Sequence, residues 1–439
     1  MRENKKVCVI GIWHLGSVYS ACLADLGYQV VGVDRDPSKV EDLNHGVPPI
    51  FEPGLKELSA KNLTSGRLSY TTDLNLGLKG AKYILVTLDT SVDDNDEVDL
   101  SPVFNTVIEV ARNLENDSII IVSSQVPVGT CDQMRALIKQ ANPSLDFDIA
   151  YSPENLRLGQ AIDCFQKPDR VVIGADSSTT LDRVEAFFSV ISAPKLRMNL
   201  KSAEMTKHAI NVFLATTISF ANEIANLCDE LGADAVKVAE ALKSESRIGG
   251  KLPLLPGLAF AGGTLARDLK VLKKLGESSG CETPLINGVL AVNKRQNRLV
   301  LRKLQKVYGS VGNLTVGILG LTYKPGTSTL RRSAAIEIIK ELAANGAKVR
   351  AYDPKADTEE LRQHQGFELC RDPYILAKGA DALVIVTDWP EFRNLDFDLI
   401  KSLMKKPILI DAKNMLYDKG LAGKGFIYLG VGVNQRVEG

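Results

Sequence analysis

The chain has no apolar run long enough to cross a membrane, no charge excess of either sign and no closely spaced cysteine pair. Each lack excludes a class. A spanning helix needs about 20 consecutive apolar residues. Nucleic-acid and membrane-surface binding need a basic excess, and here 53 Lys and Arg balance 53 Asp and Glu. Positive charge that meets an anionic substrate must therefore be local. Seven cysteines (Cys8, Cys22, Cys131, Cys164, Cys228, Cys281, Cys370) form no C-x-x-C, and their odd number opposes a full disulfide framework. Four dispersed histidines give no metal-ligand cluster, so no metal site is expected. The N-terminus runs from a charged stub into a strand, with neither a secretory h-region nor an Arg-rich presequence. Reduced thiols and a cytoplasmic location are the expectation. There is no low-complexity tract and no short-period repeat.

What is present is an alternation of strands and helices. At 439 residues the chain is long enough for two or three domains. Short β-rich runs lie at 7–12, 29–34, 83–88, 118–124, 147–152 and 170–175, spaced by helical segments, which predicts a doubly wound parallel sheet. From 202 to 242 the pattern turns helical, with Met205, Ala209, Val212, Phe213, Thr216, Phe220 and Ile224 recurring and no strand between them. A helix this long fits a bridge between domains or a dimer surface. The alternation resumes near Leu314. The expected fold class is α/β: a Rossmann domain over 1–199, a helical connector over 200–300 and a smaller Rossmann-like domain over 301–439. The two α/β parts are related at the level of fold alone.

The first βα turn carries a dinucleotide signal. A strand ends at Gly11, a helix is expected from near Gly16, and Asp34 closes the next strand. The helix N-terminus can receive a pyrophosphate, and Asp34 can accept from adenosine ribose hydroxyls, which favours NAD over its 2′-phosphorylated form. Arg35 softens that preference. Trp13 stands where the second glycine of G-x-G-x-x-G belongs. It must turn away or displace the cofactor from its usual path. A turn that has lost its ligand is the alternative.

Further motifs follow in order: FEPGL (51–55), VPVGT (126–130), SPENLR-x-G (152–159), PDRVVIG (168–174), Lys207-x-x-x-Asn211, ISFANE (218–223) and RIG (247–249). PGLAFAGG-x-x-x-x-Asp268, GLTYKPGT (320–327), Arg331, YDP (352–354) and TDWPEF (387–392) complete the set. Over nearly its whole length the chain resembles the UDP-glucose/GDP-mannose dehydrogenase family. That resemblance implies an N-terminal NAD domain, a helical connector used to form a homodimer, and a C-terminal domain for a nucleoside-diphosphate sugar, most often a UDP-sugar. It also implies two successive oxidations at C6, with a cysteine trapping the aldehyde as a thiohemiacetal that becomes a thioester. A thiolate suits this because it is a good nucleophile and its thioester hydrolyses readily.

Carried onto this sequence, the family pattern makes Lys207 and Asn211 the oxyanion donors, one helical turn apart. Asp268 becomes the general base, and Glu154 an organiser of the attacking water. Gly11, Trp13, Leu15, Gly16, Asp34 and Lys324 become cofactor positions. Arg247, Phe260, Gly262, Gly263 and Arg331 become substrate positions, Arg247 reaching into the partner subunit's site. The chain departs from the pattern at the redox centre. Thr264 occupies the cysteine position, Gln125 replaces a threonine, Leu158 the second glutamate and Arg267 a lysine. A hydroxyl is far less acidic than a thiol and would give a stable ester, which argues against the covalent route. Three readings follow: non-covalent hydride transfer at C6, transient oxidation leading to epimerisation, or nucleotide-sugar binding without catalysis.

Overall fold

The computed structural model describes residues 6–91, 98–153, 156–260, 264–330 and 333–435, which form two compact units, 1–209 and 210–439. The first unit holds eight strands: β1 (Lys6–Ile10), β2 (Gln29–Val33), β3 (Leu68–Thr71), β4 (Tyr83–Val86), β5 (Ser118–Val122), β6 (Phe147–Tyr151), β7 (Val171–Gly174) and β8 (Lys195–Met198). Their order is β3-β2-β1-β4-β5-β6-β7-β8. The first six strands follow the doubly wound dinucleotide-binding order. Strand β1 shows why its sequence is apolar without alternation. Val7 and Val9 enter the core on one face of the sheet, and Cys8 and Ile10 enter the core on the other.

The second unit repeats the plan. Strands β9 (Thr315–Leu319), β10 (Lys348–Tyr352), β11 (Glu368–Leu369), β12 (Ala382–Ile385), β13 (Ile408–Asp411), β14 (Ile427–Gly430) and β15 (Val433–Gln435) take the order β11-β10-β9-β12-β13-β14-β15. Two pairs depart from the expected parallel sheets, since β6–β7 and β14–β15 are antiparallel. Four strands escape the apolar-run criterion: β3, β8, β11 and β15. All four are short and carry polar residues, and all lie at a sheet edge, where one neighbour is missing and less apolar surface is covered.

The helix expected over 202–242 is two helices. The first, Leu200–Leu231, is 32 residues and about 48 Å long. It stops at Gly232, whose φ of +74° suits a left-handed helix terminus. The second, Ala235–Ser244, is capped by Asp234, which accepts from the N–H groups of Val236 and Lys237. Within the second unit the long helix packs on the sheet through Ala225 and Cys228. Gly432 allows this approach, because a Cβ there would lie 2.7 Å from the Ala225 Cβ.

Candidate functional site

In the first unit the turn after β1 is shaped by glycines the chain itself requires. Gly11 has φ +93°, and a Cβ on Gly16 would sit 2.1 Å from the Gly11 carbonyl oxygen. Thr87 Oγ1 donates to the carbonyls of Ile10 and Gly11 at 3.0 and 2.9 Å, fixing the turn on β4. The helix begins at His14, two residues earlier than expected, with Trp13 at its N-cap. Leu15 is buried in the core, so only its backbone is available to a ligand. Trp13 has φ −106°, a conformation open to any residue. Its side chain is 42% exposed and lines an open cleft of about 450 Å³ shared with Gly11, Asp34, Arg35, Lys39 and Glu109. Trp13 therefore does not turn away from the cleft.

Asp34 Oδ2 accepts from the Ile12 N–H at 2.9 Å and pairs with Lys39 Nζ at 3.0 Å. Arg35 is drawn to Glu109 at 2.8 Å. The cleft thus has a glycine in its turn, a helix N-terminus and a carboxylate at the end of β2. These features fit NAD.

Two buried carboxylates missed by sequence reasoning hold the loops around this site. Glu52, 4% exposed, accepts from the N–H groups of Gly159 and Ala161 at 2.9 Å and contacts His14 Nε2 at 2.9 Å. It ties Gly159 and Ala161 to the first residue of the helix that follows the dinucleotide turn. Glu204, fully buried, accepts from Gly129 N at 2.6 Å and Cys131 N at 2.8 Å, while His208 Nε2 meets the Val126 carbonyl at 2.9 Å. The VPVGT segment is thereby docked on the long helix that presents the buried Lys207. Gln125, just before it, accepts from Thr90 Oγ1 through its backbone carbonyl at 2.8 Å. Glu52 stands inside FEPGL and Glu204 outside every quoted motif, and neither position shows in the sequence which amides it holds.

In the second unit Asn211 Nδ2 donates to Asp268 Oδ2 at 2.5 Å. Asp268 is fully buried and Asn211 nearly so. Asp268 lies in the first turn of the Leu265–Ser279 helix, and its N–H donates to the Thr264 carbonyl at 3.2 Å. Thr264 is the exposed N-cap residue and makes no side-chain capping bond. Thr264 thus joins Asp268 through the first backbone hydrogen bond of the helix.

Preceding this helix, the loop is clamped by side-chain amides that sequence reasoning did not single out. Asn222 Oδ1 accepts from Gly257 N at 2.8 Å, Gln296 Nε2 donates to the Gly257 carbonyl at 2.7 Å, and Asn293 Oδ1 accepts from Phe260 N at 2.9 Å. Arg247 is held away at the surface by Glu245, at 3.0 Å, which raises the guanidinium pKa. Lys324 is half-buried in the turn after β9. Glu154, Gly262, Gly263 and Arg331 lie outside the described residues.

The turn after β9 repeats the turn after β1. Gly320 has φ +95°, the Leu321 N–H donates to Asp353 Oδ2 at 2.7 Å, and Trp389 Nε1 donates to the same oxygen at 3.1 Å. Asp353 thus does in the second sheet what Asp34 does in the first.

The residues flanking Thr264, from 265 to 280, include no cysteine. All seven cysteines are unpaired. Burial pushes the Cys8 and Cys22 thiols up to about 12 and raises those of Cys131, Cys228 and Cys370. Cys281 lies past the far end of the Leu265–Ser279 helix, which itself ends about 16 Å along its axis from Asp268. Cys164 lines a narrow cavity of about 30 Å³ with Leu156, Phe165 and Phe188 in the first unit.

Comparison with known proteins places these features in one family. The UDP-glucose/GDP-mannose dehydrogenase family matches through its NAD binding domain at 5–192, its central domain at 201–295 and its UDP binding domain at 317–418. UDP-glucose 6-dehydrogenase of Rhizobium meliloti is 37% identical over 97% of this chain and 99% of that protein. A UDP-glucose dehydrogenase from Pyrobaculum islandicum superposes with a TM-score of 0.88 at 32% identity over 99% of both chains. A UDP-D-ManNAc dehydrogenase from Pyrococcus horikoshii does so at 0.85 and 26% identity, over 97% of this chain and 99% of that one. With its dinucleotide turn, buried Asn211–Asp268 pair and duplicated α/β units, the chain belongs to the UDP-glucose/GDP-mannose dehydrogenase family and is an NAD-dependent nucleotide-sugar dehydrogenase.

Proposed function

We propose that the chain oxidises C6 of a nucleoside-diphosphate sugar, a UDP-sugar first, without a covalent thioester. One observation carries this reading: the Asn211–Asp268 pair is buried and hydrogen-bonded, while a threonine stands at the N-cap of the helix that carries Asp268. Gly11, Trp13, Leu15, Gly16, Asp34 and Lys324 are the residues assigned to NAD. Bound NAD supplies the hydride acceptor for each oxidation. Asp268 takes the proton of the C6 hydroxyl as the carbonyl forms. Lys207 and Asn211, one turn apart on a single helix, stabilise the charge on that oxygen.

Water then adds to the aldehyde, the carbonyl oxygen taking back the proton held by Asp268 while the water's own proton passes to solvent, so that Asp268 is again a base. Glu154 and Gln125 orient that water, and the Thr264 hydroxyl holds the resulting gem-diol. Asp268 removes a proton from the gem-diol in the second oxidation, which yields the carboxylate. Arg247, Phe260, Gly262, Gly263 and Arg331 are assigned to the nucleotide sugar.

The UDP preference rests on the names of the relatives, which are UDP-glucose and UDP-ManNAc dehydrogenases. The three-part division at 199 and 300 is retained, with the middle part as connector. A homodimer is proposed through the long helix, where Phe213, Phe220 and Leu227, spaced by seven, are 58%, 47% and 54% exposed. Phe220→Glu should shift the protein to monomer in sedimentation; an unchanged dimer would reject that face. A cytoplasmic location is proposed from the seven unpaired thiols; among the described residues no helix is long and apolar enough to cross a membrane.

The test is NADH formation with a panel of UDP- and GDP-sugars, scored per sugar consumed. Two NADH and a carboxylate product support the full route, and one NADH stops it at the aldehyde. A changed sugar with no net NADH would replace it by epimerisation. Tight binding without turnover on any sugar would overturn the oxidation reading. Thr264→Cys adds a second arm: a covalent intermediate trapped in this variant and absent from the natural protein would show the remainder of the site competent.

A further inference from the structure

A second charged cavity lies wholly within the second unit and shares no residue with the dinucleotide cleft. It has a volume of about 110 Å³, room for several waters or one tetrahedral oxyanion. Its wall is built from the C-terminal part of the Leu200–Leu231 helix, Arg295, the Leu299–Tyr308 helix, and Leu429 and Asn434 of the sheet. Four cations face it, Arg295, Arg302, Lys303 and Lys306, against the two carboxylates Asp229 and Glu230.

The carboxylates are already committed. Lys303, itself buried, pairs with Asp229 at 2.7 Å, and Lys306 pairs with Glu230 at 3.0 Å. Asn434 Nδ2 also donates to Asp229 at 3.0 Å. Two guanidinium groups are left over. Arg302 spends one Nη2 hydrogen on Asn226 Oδ1 at 3.0 Å, and its Nε is buried with no hydrogen-bond partner. Arg295 has no ion-pair partner among the described residues. Burial lowers the Arg302 pKa, and the neighbouring charges of Arg295 and Arg298 lower it further. Two guanidinium forks beside a cavity, one with a buried donor unused, form the donor set that oxyanions satisfy.

We propose that this cavity binds a phosphoryl oxyanion, held by Arg302 and Arg295 and flanked by Lys303 and Lys306. The shared chemistry is a tetrahedral dianion, whether free phosphate or the phosphoryl chain of a nucleotide. Such a ligand accepts from the unused Arg302 Nε and offsets the surplus of two positive charges.

The test titrates phosphate and pyrophosphate calorimetrically into the full chain, saturated with NAD and UDP and held at fixed ionic strength. One saturable site is expected. Arg295→Gln should weaken it roughly tenfold or more, because a charge-assisted contact is lost. Arg302→Lys, which keeps the charge but loses the fork, should weaken it as well. NAD affinity of Arg295→Gln should equal that of the natural protein. Tighter binding of pyrophosphate would assign the nucleotide source; equal or tighter binding of phosphate would assign the free ion. No saturable site, or unchanged phosphate affinity in Arg295→Gln, overturns the proposal. Arg295 is exposed, so that variant is not confounded by misfolding.

Discussion

Replacing Asp268 by asparagine keeps the side-chain volume and removes the charge. Two amides can still pair, one carbonyl accepting from one NH2, so the 2.5 Å contact with Asn211 is exchanged for a neutral hydrogen bond. The loss from a charge-assisted to a neutral bond is about 1 kcal/mol. It is partly offset, because a fully buried carboxylate no longer has to be kept from water. For a unit of this size a change of about 1 kcal/mol moves the melting temperature by about 2–4 °C. The kinetic effect is of another order. Losing a positioned general base costs about 10²–10⁴ in rate, or about 3–5 kcal/mol in the barrier. Asp268→Asn should therefore melt within a few degrees of the natural protein, bind NAD as well, and lose at least a hundredfold in kcat with a UDP-sugar. Scanning calorimetry, NAD titration and NADH formation measure the three quantities. A kcat within tenfold of the natural protein would refute Asp268 as the base. A fall in stability large enough to explain the lost activity would make its role structural.

Three further outcomes are expected. Gly16→Ala puts a Cβ 2.1 Å from the Gly11 carbonyl oxygen and 2.8 Å from Thr87 Oγ1, so the turn must move. It should lose roughly 1–3 kcal/mol in denaturant unfolding and weaken NAD binding in parallel; unchanged NAD affinity would remove the turn from the cofactor site. Trp13→Gly should leave stability within about 1 kcal/mol, since glycine is accepted at an N-cap, but change NAD affinity measurably by titration. Equal affinity would show that the indole does not meet the cofactor. Burial raises the Asp411 carboxyl pKa above its ordinary value, so its stability contribution is complete below the unfolded value of 3.8 and is lost as pH rises through the folded one. Unfolding across acid to neutral pH should show Asp411→Asn gaining on the natural protein as pH rises from about 4; a pH-independent difference would refute the sign.

How much of this was legible in the sequence follows from what each feature depends on. Strands covered on both faces, such as β1 and β12, read directly as apolar runs. Strands β3 and β11 did not, because an edge strand has less to bury. The helix break at Gly232 was masked by a hydrophobic pattern that continues on both sides of it. Asp268 was legible through its motif, but its pairing with Asn211 links residues 57 apart and exists only in the folded unit. The anchors Glu52 and Glu204 were hidden for a similar reason. Each accepts from backbone N–H groups in other motifs, at 159 and 161 or at 129 and 131, and a sequence shows side chains but not which amides face them.

The irregular dinucleotide turn separates two reasons for a glycine. Gly11 and Gly16 are demanded by the chain: one has a left-handed φ against Leu88, and the other has a neighbouring carbonyl where its Cβ would go. Position 13 makes no such demand, having φ −106° and an outward path into the cleft. A glycine there serves the ligand and not the fold, so tryptophan can replace it without disturbing β1 or the helix that follows. The second sheet makes the same distinction. Gly320 and Asp353 reproduce the Gly11 and Asp34 geometry, and Gly320 is required by Thr387, 2.4 Å from its would-be Cβ. The turn architecture is thus a property of a doubly wound sheet. The residues that this architecture leaves unconstrained are those facing the cleft, such as Trp13 in the first unit.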